Sequence, residues 1–106
     1  MSYRFMRVLV FFDLPVDTRK NRRDYRLFRN YLIKSGFMML QESVYCKLAL
    51  NGSNVNSILT GLRKNKPPNG FVEILTITEK QFSNMEILTG SYTSELLDTD
   101  ERLVII

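Results

Sequence analysis

Arg7-Val8-Leu9-Val10-Phe11-Phe12-Asp13-Leu14-Pro15 is a near-continuous apolar run that stops on a carboxylate and a proline. A strand that is apolar at every position, rather than at alternate ones, has both faces covered. The run therefore reads as a central strand over about residues 4–13. Asp13 at its tip is costly to bury unless it meets a cation or a hydrogen-bond donor. Two roles fit an aspartate there: a ligand for a cation, or a turn residue that accepts from the first amides of the next helix. Dense positive charge follows at once, which suggests a site that handles metal and phosphate.

Downstream of the run, Asp17 or Thr18 can cap a helix that continues to about Ser35 and is closed by Gly36. On its wheel Tyr25, Phe28, Tyr31 and Leu32 form the packing stripe, with Leu27 on the border. Arg19, Arg22, Arg23, Arg26 and Arg29 share the opposite arc. Five guanidiniums along about three turns can meet successive phosphates, and such an arc recognises backbone rather than bases. Phe37–Gln41 and Ser43–Leu50 read as two strands joined by a tight turn at Glu42. In the second, Val44, Cys46 and Leu48 alternate with Tyr45, Lys47 and Ala49. Tyr45 either lines a cleft near nucleic acid or is a buried sheet residue, and Cys46 is most simply a small core residue.

Asn51-Gly52-Ser53 is turn chemistry with Ser53 as a helix cap, and Val55, Ile58, Leu59 and Leu62 form the stripe of a second helix that Pro67-Pro68 terminates. Arg63, Lys64 and Lys66 crowd its last turn as solvated charge compatible with the helix dipole. Phe71–Thr78 is a fourth, β-branched strand. This order is the βαββαβ, ferredoxin-like sandwich, an α+β fold. Residues 1–80 form its core and 81–106 an extension within the same single domain. In the last, less regular segment, residues 79–86 read as a helical turn, Ile87-Leu88-Thr89 as a short strand and Ser91–Glu101 as an acidic loop. Both helices lie on one sheet face, so the other face is left with large apolar residues and points to a homodimer. Leu103-Val104-Ile105-Ile106 reads as an extra strand that pairs with a sheet edge, either its own subunit's or the partner's.

The totals agree with one small domain of 106 residues, 44% hydrophobic and 25% charged,. No apolar run approaches the ~20 residues needed to cross a bilayer, which argues against a membrane protein. The start, Met1-Ser2-Tyr3-Arg4, lacks the layout of a secretion signal. A lone cysteine fits a reducing cytoplasm, and with no histidine a Ser-His-Asp triad or His-ligated zinc is excluded,. The net charge of +4 hides an asymmetry: residues 1–66 carry 13 Lys/Arg against four acids, residues 67–106 two against seven. A split of this kind directs a basic surface at a polyanion.

Val10-Phe11-Phe12-Asp13-Leu14-Pro15, Arg26-Leu27-Phe28-Arg29-Asn30-Tyr31-Leu32 and Gly36-Phe37-Met38-Met39-Leu40-Gln41-Glu42-Ser43-Val44-Tyr45, in this order, resemble the CRISPR-associated protein 2 family. That family is the small subunit of the CRISPR spacer-acquisition machinery. Asp13-Leu14-Pro15 and Thr76-Ile77-Thr78-Glu79-Lys80-Gln81-Phe82 look most like the form found with Cas9-type effectors. The resemblance implies a homodimer of ferredoxin-like subunits whose C-terminal strand crosses to the partner. It also implies a metal-dependent endonuclease acting on single-stranded RNA or double-stranded DNA. In the same family the dimer is the scaffold of an integrase complex that holds a protospacer duplex. Asp13 matches the family aspartate that binds Mg²⁺ (or Mn²⁺) jointly with its symmetry mate, and it is the implied catalytic residue. One carboxylate per subunit is sparse equipment for phosphodiester cleavage, so a purely non-catalytic DNA-binding scaffold stands as the alternative. An RRM-like RNA-binding module shares the sheet order, but Ser43-Val44-Tyr45-Cys46-Lys47 lacks its glycine-aromatic pattern.

Overall fold

The apolar run forms β1, Met6–Asp13, in the middle of a four-stranded antiparallel sheet. A computed structural model describes residues 5–91. The elements that follow are α1 (Arg19–Lys34), β2 (Met38–Gln41), β3 (Val44–Ala49), α2 (Gly52–Lys64), β4 (Phe71–Thr78) and α3 (Glu79–Ser83). The strands lie in the order β2-β3-β1-β4, which is the ferredoxin-like arrangement,. β1 pairs with β3 from Met6–Ala49 to Phe11–Val44, and with β4 from Met6–Thr78 to Asp13–Phe71. It gives hydrogen bonds on both edges, as a central strand must.

Alternation sorts β1 into two environments. Val8, Val10 and Phe12 face the helices, where they meet Phe28 and Leu32 of α1, Tyr45 of β3, and Ile58 and Leu62 of α2. Phe12 lies edge-on to Phe28 (centroids 5.5 Å apart) and stacks on Tyr45 at 5.6 Å. Burial of an aromatic ring in such a cluster stabilises by about 2–3 kcal/mol. Arg7, Leu9, Phe11 and Asp13 take the other face.

That second face is only partly covered. Leu9, Cys46 and Phe82 form a smaller buried cluster, flanked by Phe11, Leu40, Val44 and Ile77. The chain after α3 runs along it, so that Met85–Ser91 and the sheet enclose an open groove of about 910 Å³. Residues 87–89, expected as a strand, are irregular and pair with no strand among the described residues; Leu88 is 85% exposed. The acidic stretch after Ser91 and the apolar end 103–106 lie outside the described residues.

Local signals explain the helix ends. Thr18 is extended and its side chain accepts from the Asn21 amide at 3.0 Å, which makes it the cap of α1,. Gly36, at φ +93°, closes the same helix,. At α2 the cap is Asn51 and not the expected Ser53: Asn51 is the residue with extended backbone, and its side chain accepts from the Asn54 amide at 2.8 Å. Asn54 answers by accepting from the Leu50 amide at 3.0 Å. α3 starts with a reciprocal capping box between Thr78 and Gln81,.

Arg7 is the least expected core residue. It is 2% exposed, and its Nε and Nη2 donate to the two carboxylate oxygens of Glu79 at 2.6 and 3.1 Å. Its guanidinium lies 4.5 Å from the Phe82 ring centroid,. Burial alone would lower the Arg7 pKa, but the hydrogen bonds and charge of Glu79 outweigh it and hold the cation above its ordinary value. The pair fastens α3 to the sheet.

Two stability outcomes follow from these contacts. Glu79→Ala strands a cation whose side chain is 3% accessible; urea unfolding should show a loss of about 3 kcal/mol, most of it recovered in Arg7→Met/Glu79→Ala. Gly70 sits at φ +94°, where an added Cβ would lie 2.6 Å from Leu14 Cδ2 and 3.0 Å from the Asp13 carbonyl. Gly70→Ala should therefore cost about 1–3 kcal/mol by the same measurement.

Candidate functional site

Asp13 is the last residue of β1, exposed at the strand tip. The Leu14-Pro15 turn that follows is held from below by Gly70, which leads into β4. Among the described residues no group donates a hydrogen bond to the Asp13 carboxylate, and the first amides of α1 are served by Thr18 instead. The capping role for Asp13 is thus filled by another residue, and the carboxylate stays free for an external partner.

Asp13 opens onto a cleft of about 200 Å³ that it shares with Phe11, Ser43, Val44, Phe71 and Glu73. Because Phe11 pairs with Glu73 and Asp13 with Phe71, the two carboxylates stand diagonally across adjacent strands on one face,. Glu73 was missed in the sequence reading. Its signal was available only through register, since an alternating position on β4 says nothing of its neighbour on β1. Among the described residues no group of three or more His, Cys, Asp or Glu side chains converges. One chain thus offers hard oxygen donors in small number, which is the donor chemistry of Mg²⁺, an ion held by one or two carboxylates with several waters kept.

All five arginines of the expected arc are exposed on α1. Among the described residues none of them pairs with a carboxylate: the salt bridges are Arg7–Glu79 and Lys20–Asp24, and Asp17 accepts from Asn21. Two arginines are tethered. Arg22 Nη1 donates to the Val16 carbonyl at 3.1 Å, and Arg29 Nε donates to the Tyr45 hydroxyl at 3.1 Å. Arg19, Arg23 and Arg26 project without such an anchor.

The two halves of the expected site are not brought together within one chain. Asp13 shares the partly open sheet face with Leu9 and Phe11, whereas the arginines are carried by α1, which packs on the other face of the sheet. Tyr45 proves to be a buried residue, 1% exposed, and Cys46 is buried as well. Arg63, Lys64 and Lys66 are exposed at the end of α2.

Because Asp13 is exposed and carries no described hydrogen bond, Asp13→Asn should leave the free energy of unfolding within about 0.5 kcal/mol of the parent. Thermal melting without metal checks this, and a large loss would mean that the carboxylate is structural.

Comparison with known proteins agrees with this architecture. Residues 6–85 match the family model described as "CRISPR associated protein Cas2". A relative from Treponema denticola, named "CRISPR-associated endoribonuclease Cas2", is 60% identical over 101 residues, covering 95% of this chain and 100% of the relative. A relative of the same name from Streptococcus mutans is 43% identical over 101 residues, covering 95% and 93%. A solved structure titled "Crystal structure of cas2" superposes with a TM-score of 0.51 at 21% identity, covering 85% of this chain and 92% of that one, a likeness of fold. With the family match spanning the whole folded core, this chain belongs to the CRISPR-associated Cas2 family.

Proposed function

We propose that this chain acts in CRISPR adaptation as a homodimeric, backbone-reading nucleic-acid scaffold with a weak Mg²⁺-dependent phosphodiesterase site at its two-fold axis. The observation that carries the reading is the α1 arc: five exposed arginines that no described carboxylate neutralises, in a member of this family. Each phosphate neutralised releases counterions, so binding by such an arc is strong at low salt and indifferent to sequence. Indifference suits a protein that must accept arbitrary spacers between integrase subunits.

The second copy is expected on the partly open sheet face, where Leu9, Phe11, Leu75 and Ile77 line the groove,. That arrangement brings the two Asp13 tips together, with Glu73 of each chain beside them. Bound Mg²⁺ would neutralise charge on the scissile phosphate and hold a water as nucleophile. Asp13 would hold the ion, and Glu73 would orient ion-bound water or serve as a further ligand. Relatives named endoribonucleases support RNA as a substrate; duplex DNA is the substrate that the adaptation role favours.

One observation favours a second reading, a scaffold without catalytic duty. The arginine arc and Asp13 lie on opposite sides of the sheet, so a duplex held along α1 is not thereby delivered to the carboxylate.

Two variants separate the readings. Arg22→Glu/Arg26→Glu should weaken binding of a short duplex at least tenfold at moderate salt and lower the salt slope by about two; unchanged affinity would remove the arc from the interface. Asp13→Ala should abolish Mg²⁺-dependent cleavage while the duplex still binds. Loss of cleavage with spacer integration intact would establish the scaffold reading, and cleavage that survives would exclude Asp13 as its catalyst.

A further inference from the structure

Tyr45 has a hydroxyl for which the packing of its ring gives no reason. The residue is 1% exposed, its ring stacks on Phe12 with an interplanar angle of 30°, and its backbone is registered against Val10 of β1 and Met39 of β2. Phenylalanine would fill the same space. The hydroxyl instead accepts from Nε of Arg29 at 3.1 Å, and Arg29 is itself exposed. A side chain fixed by the core therefore holds a surface guanidinium.

We propose that Tyr45 is a positioning residue for nucleic-acid binding, its hydroxyl presenting Arg29 to a backbone phosphate. The chemistry lies in which edge of the guanidinium is used. Engaging Nε leaves the Nη1 and Nη2 hydrogens, an end-on fork that matches two phosphate oxygens. A free arginine loses much rotamer freedom when it clamps a phosphate, and tethering through Nε takes up part of that cost before the nucleic acid arrives. The anchor of Arg22 differs, because the Val16 carbonyl that it meets belongs to an exposed turn residue. Among the described residues Arg29 alone in the arc is tied to the sheet.

The inference rests on the reading of α1 as a nucleic-acid surface, and a double-mutant cycle separates the two. Duplex affinity would be measured against salt for the parent, Tyr45→Phe, Arg29→Ala, the double variant, and Arg22→Glu/Arg26→Glu as reference, with melting temperatures alongside. Arg29→Ala should weaken binding and lower the salt slope by about one. Tyr45→Phe should weaken binding about three- to tenfold with the slope kept, because the phosphate contact persists but is no longer prearranged. In the Arg29→Ala background Tyr45→Phe should change nothing. Parent-like affinity in Tyr45→Phe, or an equal loss in both backgrounds, would overturn the proposal; the second pattern, with a lowered melting temperature, would mark a merely structural hydroxyl. If the reference variant weakens while Tyr45→Phe does not, only this inference falls. If the reference variant also binds like the parent, the surface reading falls with it.

Discussion

Everything in this fold is referred to one central strand whose alternate residues are claimed by different layers. Val8, Val10 and Phe12 are sealed under α1 and α2, while Arg7, Leu9, Phe11 and Asp13 face away from the helices. Close packing on the first side makes the register non-negotiable, since a slip by one residue would exchange the two sets. The second side is held by a different device. A bidentate ion pair between Arg7 and Glu79 ties α3 down, and Phe82 closes over the guanidinium. Buried pairs of this kind add little net stability, yet removing one member is costly, so they fix arrangement more than they add strength.

This division decides how the charged groups can act. The arginines of α1 are exposed on the helix side of the sheet, with Arg29 tied to the sheet through Tyr45. Asp13 stands at the strand tip on the opposite face, beside Glu73 and free of described hydrogen bonds. An arginine-lined surface and a pair of carboxylates thus share a frame without sharing a pocket. The proposed dimer joins them in function: covering the apolar groove of one chain with that of another would place two carboxylate tips at a common axis.

Much of this was readable in the residues. The unbroken apolar run declared a central strand, the 3.6-residue spacing of Phe28 and Leu32 against the arginines declared the exposed arc, and Gly36 marked the end of α1. Four things were not. Arg7 opens the hydrophobic run, and its partner lies 72 residues away, a distance that no local pattern spans. Glu73 became Asp13's neighbour only through the pairing of β1 with β4. Ser53 and Asn51 are both good caps on composition, and backbone conformation chose Asn51 because its extended geometry aims the side chain at the Asn54 amide. Residues 87–89 have strand chemistry but pair with no strand among the described residues.

The claim on which the functional account turns is that a second copy covers the sheet face opposite the helices. Sedimentation equilibrium of the full chain at micromolar concentration tests it without reference to substrate or metal. The account predicts a single species at twice the 12.4 kDa chain mass. A species at the mass of one chain, unchanged across the concentration range, would contradict it.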